Sequence, residues 1–159
     1  MDLDQAIMHA KEPVDGRLAR AYVTIDGNRY MLFQLVNFDG KDDIESLEIP
    51  VVGTTSKKHR SGQINGTWSA EIYYNTDIFR ELAYRYRKEN RVIYFDIQTT
   101  NDDPNSSAGR HTVIYKDCLM DSTSWSKIDI ENPVLKEEVS GTYEDIELPE
   151  RFRILEGMQ

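Results

Sequence analysis

Residues 63–74 read Gln-Ile-Asn-Gly-Thr-Trp-Ser-Ala-Glu-Ile-Tyr-Tyr, and this stretch decides the fold class. Its even-numbered positions are mostly apolar, whereas the odd-numbered positions are polar as far as Glu71. Because side chains alternate across a strand, this period of two predicts one buried and one wet sheet face. From Thr76 the apolar residues recur instead at helical spacing, which predicts one amphipathic helix over residues 76–88. Its predicted apolar stripe is Phe79, Leu82, Ala83 and Tyr86.

Strands are predicted on both sides of this helix. They cover residues 21–25, 30–38 and 44–52 before it, and residues 92–99, 111–120, 125–130 and 139–148 after it. Turns are predicted at Asp26-Gly27-Asn28 and at residues 40–43, because Gly, Asn and Asp favour turns. The predicted fold class is mainly β with one α-helix, as an antiparallel sandwich or barrel. With neither repeat nor linker, residues 1–159 are predicted to form a single domain, with residues 1–14 as an N-terminal arm.

Composition narrows the class of function. The chain carries 28 acidic and 19 basic residues, a formal net charge of −9, which argues against stable nucleic-acid binding and against an anionic membrane surface. No apolar run approaches the roughly 20 residues of a membrane span. The amino terminus has no signal-peptide pattern, and the one cysteine, Cys118, excludes an internal disulfide. We therefore expect a protein that is made in the cytosol.

Residues that could carry out chemistry do not cluster in the sequence. His9, His59 and His111 stand apart, without the spacing of a zinc site on a helix. Cys118 lies within a predicted strand and is interpreted as a small core residue. Glu137 and Glu138 are adjacent on a strand, so their carboxylates point to opposite faces. We expect no catalytic residue, no cofactor and no metal, and therefore a structural or binding module rather than an enzyme.

Charge is distributed unevenly along the chain. Residues 53–62 form a predicted ten-residue loop with a basic patch, Lys57, Lys58, His59 and Arg60. Residues 129–150 carry eight carboxylates and only one base, Lys136. The basic patch is either a solubilising loop tip or a contact surface for such an acidic region.

Several motifs, in this order, resemble one family. They are Gly53…Lys57-Lys58-His59…Gly62, Gly66-Thr67-x-x-Ala70, the helix 79–88, Tyr94-Phe95-x-Ile97-Gln98, Ser106-Ser107-Ala108-Gly109-Arg110, Thr112-Val113-Ile114-Tyr115 and Tyr143-Glu144-Asp145-Ile146-Glu147-Leu148-Pro149-Glu150. Over residues 15–152 the chain is similar to the tail tube (inner tube) proteins of contractile phages, PBSX-type defective prophages and R-type bacteriocins.

The resemblance implies a partner and a location. Six copies would form a ring, rings would stack into a hollow tube, and a sheath and baseplate would surround or end that tube. Subunits would assemble in the bacterial cytoplasm and end in a virion or bacteriocin tail. Lys57, Lys58, His59 and Arg60 would then form an inter-ring loop. The polar strand face would line the lumen through Gln63, Asn65, Thr67, Ser69 and Glu71.

Two other functions remain open from the residues alone. One is a non-assembling β-sandwich that binds a carbohydrate or a protein through exposed tyrosine and tryptophan. The other is an oligonucleotide-binding barrel, which the net charge of −9 disfavours.

Overall fold

The computed structural model describes residues 7–158. It contains eight strands and one α-helix, followed by a short 3-10 helix, Glu156–Met158. The strands are β1 (Ala19–Ile25), β2 (Asn28–Met31), β3 (Leu35–Ile49), β4 (Lys58–Tyr73), β5 (Phe95–Asp102), β6 (Arg110–Ser122), β7 (Lys136–Tyr143) and β8 (Asp145–Glu150), and the helix is α1 (Ile78–Glu89). Every pairing for which a register is defined is antiparallel. The predicted class, mainly antiparallel β with one helix, is therefore confirmed.

The described chain divides into two compact units, which share strand β6. The first unit holds residues 7–33, 95–116 and 146–158, and the second holds Gln34–Tyr94 and Asp117–Asp145. In the first unit the strand order is β2-β1-β5-β6, and β8 also pairs with β6. In the second unit the order is β6-β7-β4-β3. A single domain over residues 1–159 stays a prediction.

The first unit is built around the β1–β2 hairpin and strand β5. The predicted turn is confirmed, since Asp26 and Gly27 both have positive φ (50° and 79°), as a two-residue hairpin turn requires. Val23 and Ile97 lie opposite each other on β1 and β5 and are almost fully buried. Residues 7–14 form neither helix nor strand, although Glu12 accepts a hydrogen bond from Ser106 Oγ at 2.8 Å. The other predicted arm residues, 1–6, lie outside the described residues.

The second unit buries one face of β4 beneath the helix. Trp68, Ala70 and Ile72 are each at most 6% exposed, as the alternation predicts. The Trp68 ring lies 6.1 Å from Phe79 of α1 and 6.2 Å from Phe38 of β3, measured between ring centroids. This stack joins the helix to the sheet within the unit.

Helix α1 differs in detail from its prediction. Its N-cap is Asp77, which makes no side-chain capping hydrogen bond, and its C-cap is Asn90 in the left-handed region. Glu81 and Arg85, four residues apart on the helix, form an ion pair at 3.5 Å. Tyr86, however, is 57% exposed, so the last turn of the helix lies outside the core.

Three strand predictions and one turn prediction were wrong. Residues 30–38 do not form one strand, because the chain leaves β2 at Leu32, whose N–H donates to Ala21 O at 2.8 Å. Residues 40–43 are not a turn but lie inside β3, where Gly40 pairs with Trp68. Residues 125–130 are irregular, with Ile128 and Ile130 at least 95% exposed. Residues 139–148 do not form one strand but are divided between β7 and β8.

A buried ion pair fixes the helix to strand β7. Arg80 of α1 binds the carboxylate of Glu137, which is only 4% exposed, and also contacts Asp77 at 2.6 Å. Its guanidinium donates to the backbone carbonyls of Thr76 and Ser124 as well. Burial alone lowers the pKa of Arg80, but the hydrogen bonds to Asp77 and Glu137 outweigh it and raise the pKa above its usual value. Arg80 therefore stays charged and anchors three segments of the unit.

Replacing Arg80 tests this anchor. We expect Arg80→Met to lower the free energy of unfolding by about 3–5 kcal/mol, because the buried Glu137 carboxylate loses its cation. Adding Glu137→Leu removes that charge, so the double variant should recover at least half of the loss. Arg85→Met, which removes a partly exposed cation of the same helix, should cost less than about 1 kcal/mol. Urea unfolding measures all three, and a loss below 1 kcal/mol for Arg80→Met would contradict the assignment.

Candidate assembly surfaces

The β3–β4 hairpin extends beyond the core of the second unit. The two strands pair from Leu35–Ile72 to Ile49–Lys58, with bulges near Val36 and near Gly62. From residue 44 of β3 and up to residue 61 of β4, every residue is exposed. A two-stranded ribbon without a third layer is at best marginally stable in water. The exposed hairpin is therefore a candidate contact surface.

The predicted basic loop is shorter than residues 53–62. The connection between the strands is residues 50–57, and Lys58, His59 and Arg60 lie in β4 because they pair with Ile49, Glu48 and Leu47. Lys58 and Arg60 alternate with His59, so the strand places His59 on the opposite face. Lys57 contacts Glu48 of its own hairpin at 3.2 Å. The four residues of the predicted basic patch therefore do not form one surface. Lys58 and Arg60 lie on one face of the hairpin, and His59 lies on the other.

Apolar side chains accompany these cations. Ile44 and Ile64 lie directly opposite each other and are 58% and 63% exposed. Leu47 and Ile49 share a face with Arg60 and Lys58, since directly opposite residues point to the same side of a ribbon. Val52 at the tip is fully exposed. Clustered exposed apolar residues of this kind mark interaction sites.

The opposite face of the core sheet is polar and acidic. The predicted lumen residues of β4 are exposed (Gln63, Asn65, Ser69) or half-buried (Thr67, Glu71), on the side away from Trp68. Register places acidic neighbours beside them on β3 and β7, and Asp121 of β6 accepts a hydrogen bond from Ser140 at 2.7 Å. This acidic sheet face thus has five carboxylates and one lysine: Asp39, Lys41, Asp43, Glu71, Asp121 and Glu138.

Two of these carboxylates lie directly opposite each other. Glu71 of β4 pairs with Glu138 of β7, and like charges in that position destabilise a sheet. Asn37 offsets part of this cost by donating to Glu71 Oε2 at 3.0 Å. Natural proteins usually keep such destabilising contacts only at functional sites, so the Glu71–Glu138 pair marks this face as a candidate functional surface.

The second unit's sheet has two borders. One is β3, a 15-residue strand whose single paired neighbour, among the strands described, is β4. The other is the part of β6 from Asp117 onward, which pairs with β7. Gly141 allows this pairing, because a Cβ there would overlap the carbonyl oxygen of Leu119. Both borders are candidate sites for strand pairing between molecules.

The described residues offer neither a metal site nor a membrane-spanning helix. Within residues 7–158 no group of three or more His, Cys, Asp or Glu side chains could hold a metal ion. Over the same span, no helix has the length and apolar character needed to cross a membrane. Cys118 is fully buried, and Glu137 and Glu138 point to opposite faces, as predicted.

Three features of the structure were not predicted from the sequence. They are the buried anchor Arg80, the full length of β3, and a basic surface at the end of α1 that contains Arg87, Lys88 and Arg91. No local sequence pattern indicates that Arg80 is buried and paired, because its partner Glu137 lies 57 residues away in the sequence. The cations at the end of α1 are visible in the sequence as Arg85, Arg87 and Lys88, but cations are common at this end of any helix because they suit its dipole.

Known proteins are similar along most of this chain. Residues 6–150 match the family model described as phage tail tube protein. The phage-like element PBSX protein XkdM of Bacillus subtilis (strain 168) is 28% identical over 91% of this chain and 96% of its own length.

Two solved structures share the fold. The sheath/tube terminator of an extracellular contractile injection system, PVC, superposes with a TM-score of 0.66 at 12% identity, covering 89% of this chain and 100% of that chain. The SPP1 tail tube superposes with a TM-score of 0.61 at 11% identity, covering 89% of this chain and 81% of that chain.

The family match spans far more than half of the sequence, and the fold agrees with it. The chain belongs to the phage tail tube protein family and is a structural subunit of a tail tube.

Proposed function

We propose that six copies of this chain close into a ring, with the second unit's sheet as the wall of one continuous barrel. The observation that carries this proposal is the 15-residue border strand β3, which has one paired neighbour among the strands described. In the ring, β3 of each copy pairs with the border part of β6 in the next copy. Six-fold symmetry is stated for two solved assemblies of similar fold, an anti-feeding prophage baseplate and a gene transfer agent tail.

The dimensions of such a wall suit a hollow tube. Six copies of the four-stranded order β6-β7-β4-β3 give about 24 strands. At about 4.8 Å between strands, the backbone circle is roughly 115 Å around and roughly 37 Å across, and strand tilt widens it. Side chains on the inner face occupy part of that width, and an open channel remains.

The acidic sheet face lines this channel. Five carboxylates and one lysine per copy give a negative inner surface, which repels the phosphates of nucleic acid. The Glu71–Glu138 pair, which costs stability in one copy, adds to this surface. Nucleic acid or any other polyanion would therefore pass along the channel without being held.

The exposed hairpin joins one ring to the next. Lys58 and Arg60 supply the positive charge, and Leu47, Ile49 and Val52 supply the apolar area. Asp129 and Glu131, two exposed carboxylates of the acidic region, supply the opposite charge in the stacked copy. Charge pairs at such a rim fix the register between rings, and burial of apolar surface provides most of the binding energy.

The assembled tube has no catalytic role in this proposal. Subunits are made in the bacterial cytoplasm and end in a phage or tail-like particle, with a sheath and a baseplate as further partners. Solved relatives of similar fold include a PVC sheath-tube complex and an anti-feeding prophage baseplate, which support these partners.

Negative-stain microscopy tests ring formation and the hairpin together. The wild type should form rings and long tubes at high concentration. Lys58→Glu with Arg60→Glu should keep the fold and form rings, but tubes should shorten at least about fivefold, because like charges then meet between rings. Lys57 is left unchanged, since it pairs with Glu48 of its own hairpin.

Two outcomes would count against these roles. The matched control is Lys11→Glu with Arg153→Glu, which reverses two exposed cations in the first unit and should leave tube length unchanged. Tubes of normal length in the hairpin variant would exclude the inter-ring role of Lys58 and Arg60. A wild type that remains monomeric at high concentration would exclude ring formation.

DNA retention tests the acidic lining. Asn65→Lys with Ser69→Lys adds two positive charges per copy to that face, so tubes of this variant should retain short duplex DNA in 50 mM NaCl and release it by about 0.5 M NaCl. Wild-type tubes should retain none. Asn28→Lys with Asn105→Lys, two exposed positions of the first unit, is the control. Equal retention by both variants in a pull-down of tubes would refute the lining.

A further inference from the structure

The C-terminal end of α1 carries a second basic surface. We call it the cationic helix end; it consists of three cations and Tyr84, with Tyr86 on another side of the helix and Tyr94 in the segment that follows. Tyr84, Tyr86 and Tyr94 are 51%, 57% and 50% exposed. The cations are Arg87, Lys88 and Arg91, which are also exposed. Among residues 7–158, none of these three cations has a carboxylate partner.

The fold alone explains only part of this surface. Cations at a helix C-terminus interact favourably with the helix dipole, which accounts for Arg87 and Lys88. It does not account for Tyr86, which lies on the apolar stripe yet is 57% exposed. Exposed tyrosines beside arginines are the composition of an interface centre rather than of a solvated helix face. This surface therefore fits an acidic partner with some apolar area.

The chain itself carries a surface of that composition. Residues 144–150 contain four carboxylates and no base, and in strand β8 they alternate with Ile146 and Leu148, which are 41% and 38% exposed. Glu144, Asp145 and Glu147 are exposed, and Glu150 contacts Arg110 at 3.2 Å. We call residues 144–148 the acidic strand.

Ring symmetry requires two complementary surfaces on one chain. In a closed ring each contact is head-to-tail, so one surface of a copy meets a different surface of its neighbour. We propose that the cationic helix end of one copy binds the acidic strand of a neighbouring copy. This inference rests on the proposed self-assembly and adds a second contact to the pairing of β3 with β6.

The chemistry of the two surfaces is matched. Arginine guanidinium groups form forked hydrogen bonds with carboxylates, and tyrosine rings cover aliphatic side chains while keeping their hydroxyl groups in water. Like charges at the same place would instead oppose assembly. Charge exchange between the two surfaces is therefore a direct test.

Two variants reverse one surface each. The helix variant is Arg87→Glu with Arg91→Glu, and the strand variant is Glu144→Lys with Glu147→Lys. We expect each variant alone to raise the critical concentration for tube formation at least about tenfold, as measured by sedimentation. A 1:1 mixture should assemble within about threefold of the wild type, because each negative surface then meets a positive one. Lys11→Glu with Arg153→Glu is the control for net charge.

The outcomes separate the possible partners. Thermal unfolding of each variant should match the wild type, which excludes loss of the fold as the cause. Normal assembly of both variants overturns the inference, and so does a mixture that fails to assemble. Normal assembly of the helix variant with loss of sheath-subunit capture would assign this surface to the sheath instead. Absence of wild-type tubes would refute the proposed function itself, whereas tubes in every sample would refute only this contact.

Discussion

The proposed assembly depends on the outer border of β3, the edge strand of the second unit's sheet. An edge strand presents a row of backbone N–H and C=O groups that water alone satisfies until another strand pairs with it. At 15 residues, β3 is far longer than the edge strands with which soluble proteins usually end a sheet. Its charged residues, among them Lys41, Asp42 and Glu45, discourage indiscriminate pairing and leave room for a partner of matching charge. A border of this length is therefore best understood as half of an interface.

One sheet serves two environments in the second unit. On the side that faces α1, Trp68 and Ile72 are buried, Trp68 packs against Phe79, and the Arg80–Glu137 pair fixes the helix. On its other side, carboxylates gather, and Glu71 even lies opposite Glu138. The strong packing of the first side offsets the electrostatic cost of the second. This division explains how a marginal arrangement of like charges persists on a well-ordered sheet.

Sequence patterns predicted the features that depend on local chemistry. The alternation in β4 was predicted correctly, because each even-numbered residue from Gly66 to Ile72 is buried. The Asp26-Gly27 turn was also predicted correctly, since both residues adopt positive φ. Gly40 was misread as a turn residue. It instead pairs with Trp68 of β4, a residue distant in sequence, which no local pattern indicates.

Other features depend on contacts that no local pattern records. Residues 125–130 resemble a strand because they contain Trp125, Ile128 and Ile130, which are residue types common in strands, but β6 and β7 pair directly and leave this connection without a strand neighbour within the unit. The predicted basic loop was likewise shortened by the β3–β4 register, which no composition reveals. Among the candidate site residues, the polar face was predictable from its period of two. The acidic residues of β3 and β7 that lie beside this face were not predictable, since the order of the strands in the sheet determines which residues become neighbours.

Hydrogen–deuterium exchange on β3 tests the central claim most directly. Alternate backbone amides of β3 should exchange within seconds in the dissociated protein and at least about a thousandfold more slowly in assembled tubes. Amides in the central part of β4, which is paired on both sides by β3 and β7, serve as the internal control and should change little. Tubes that form while the amides of β3 remain as exchangeable as in the dissociated protein would contradict the account.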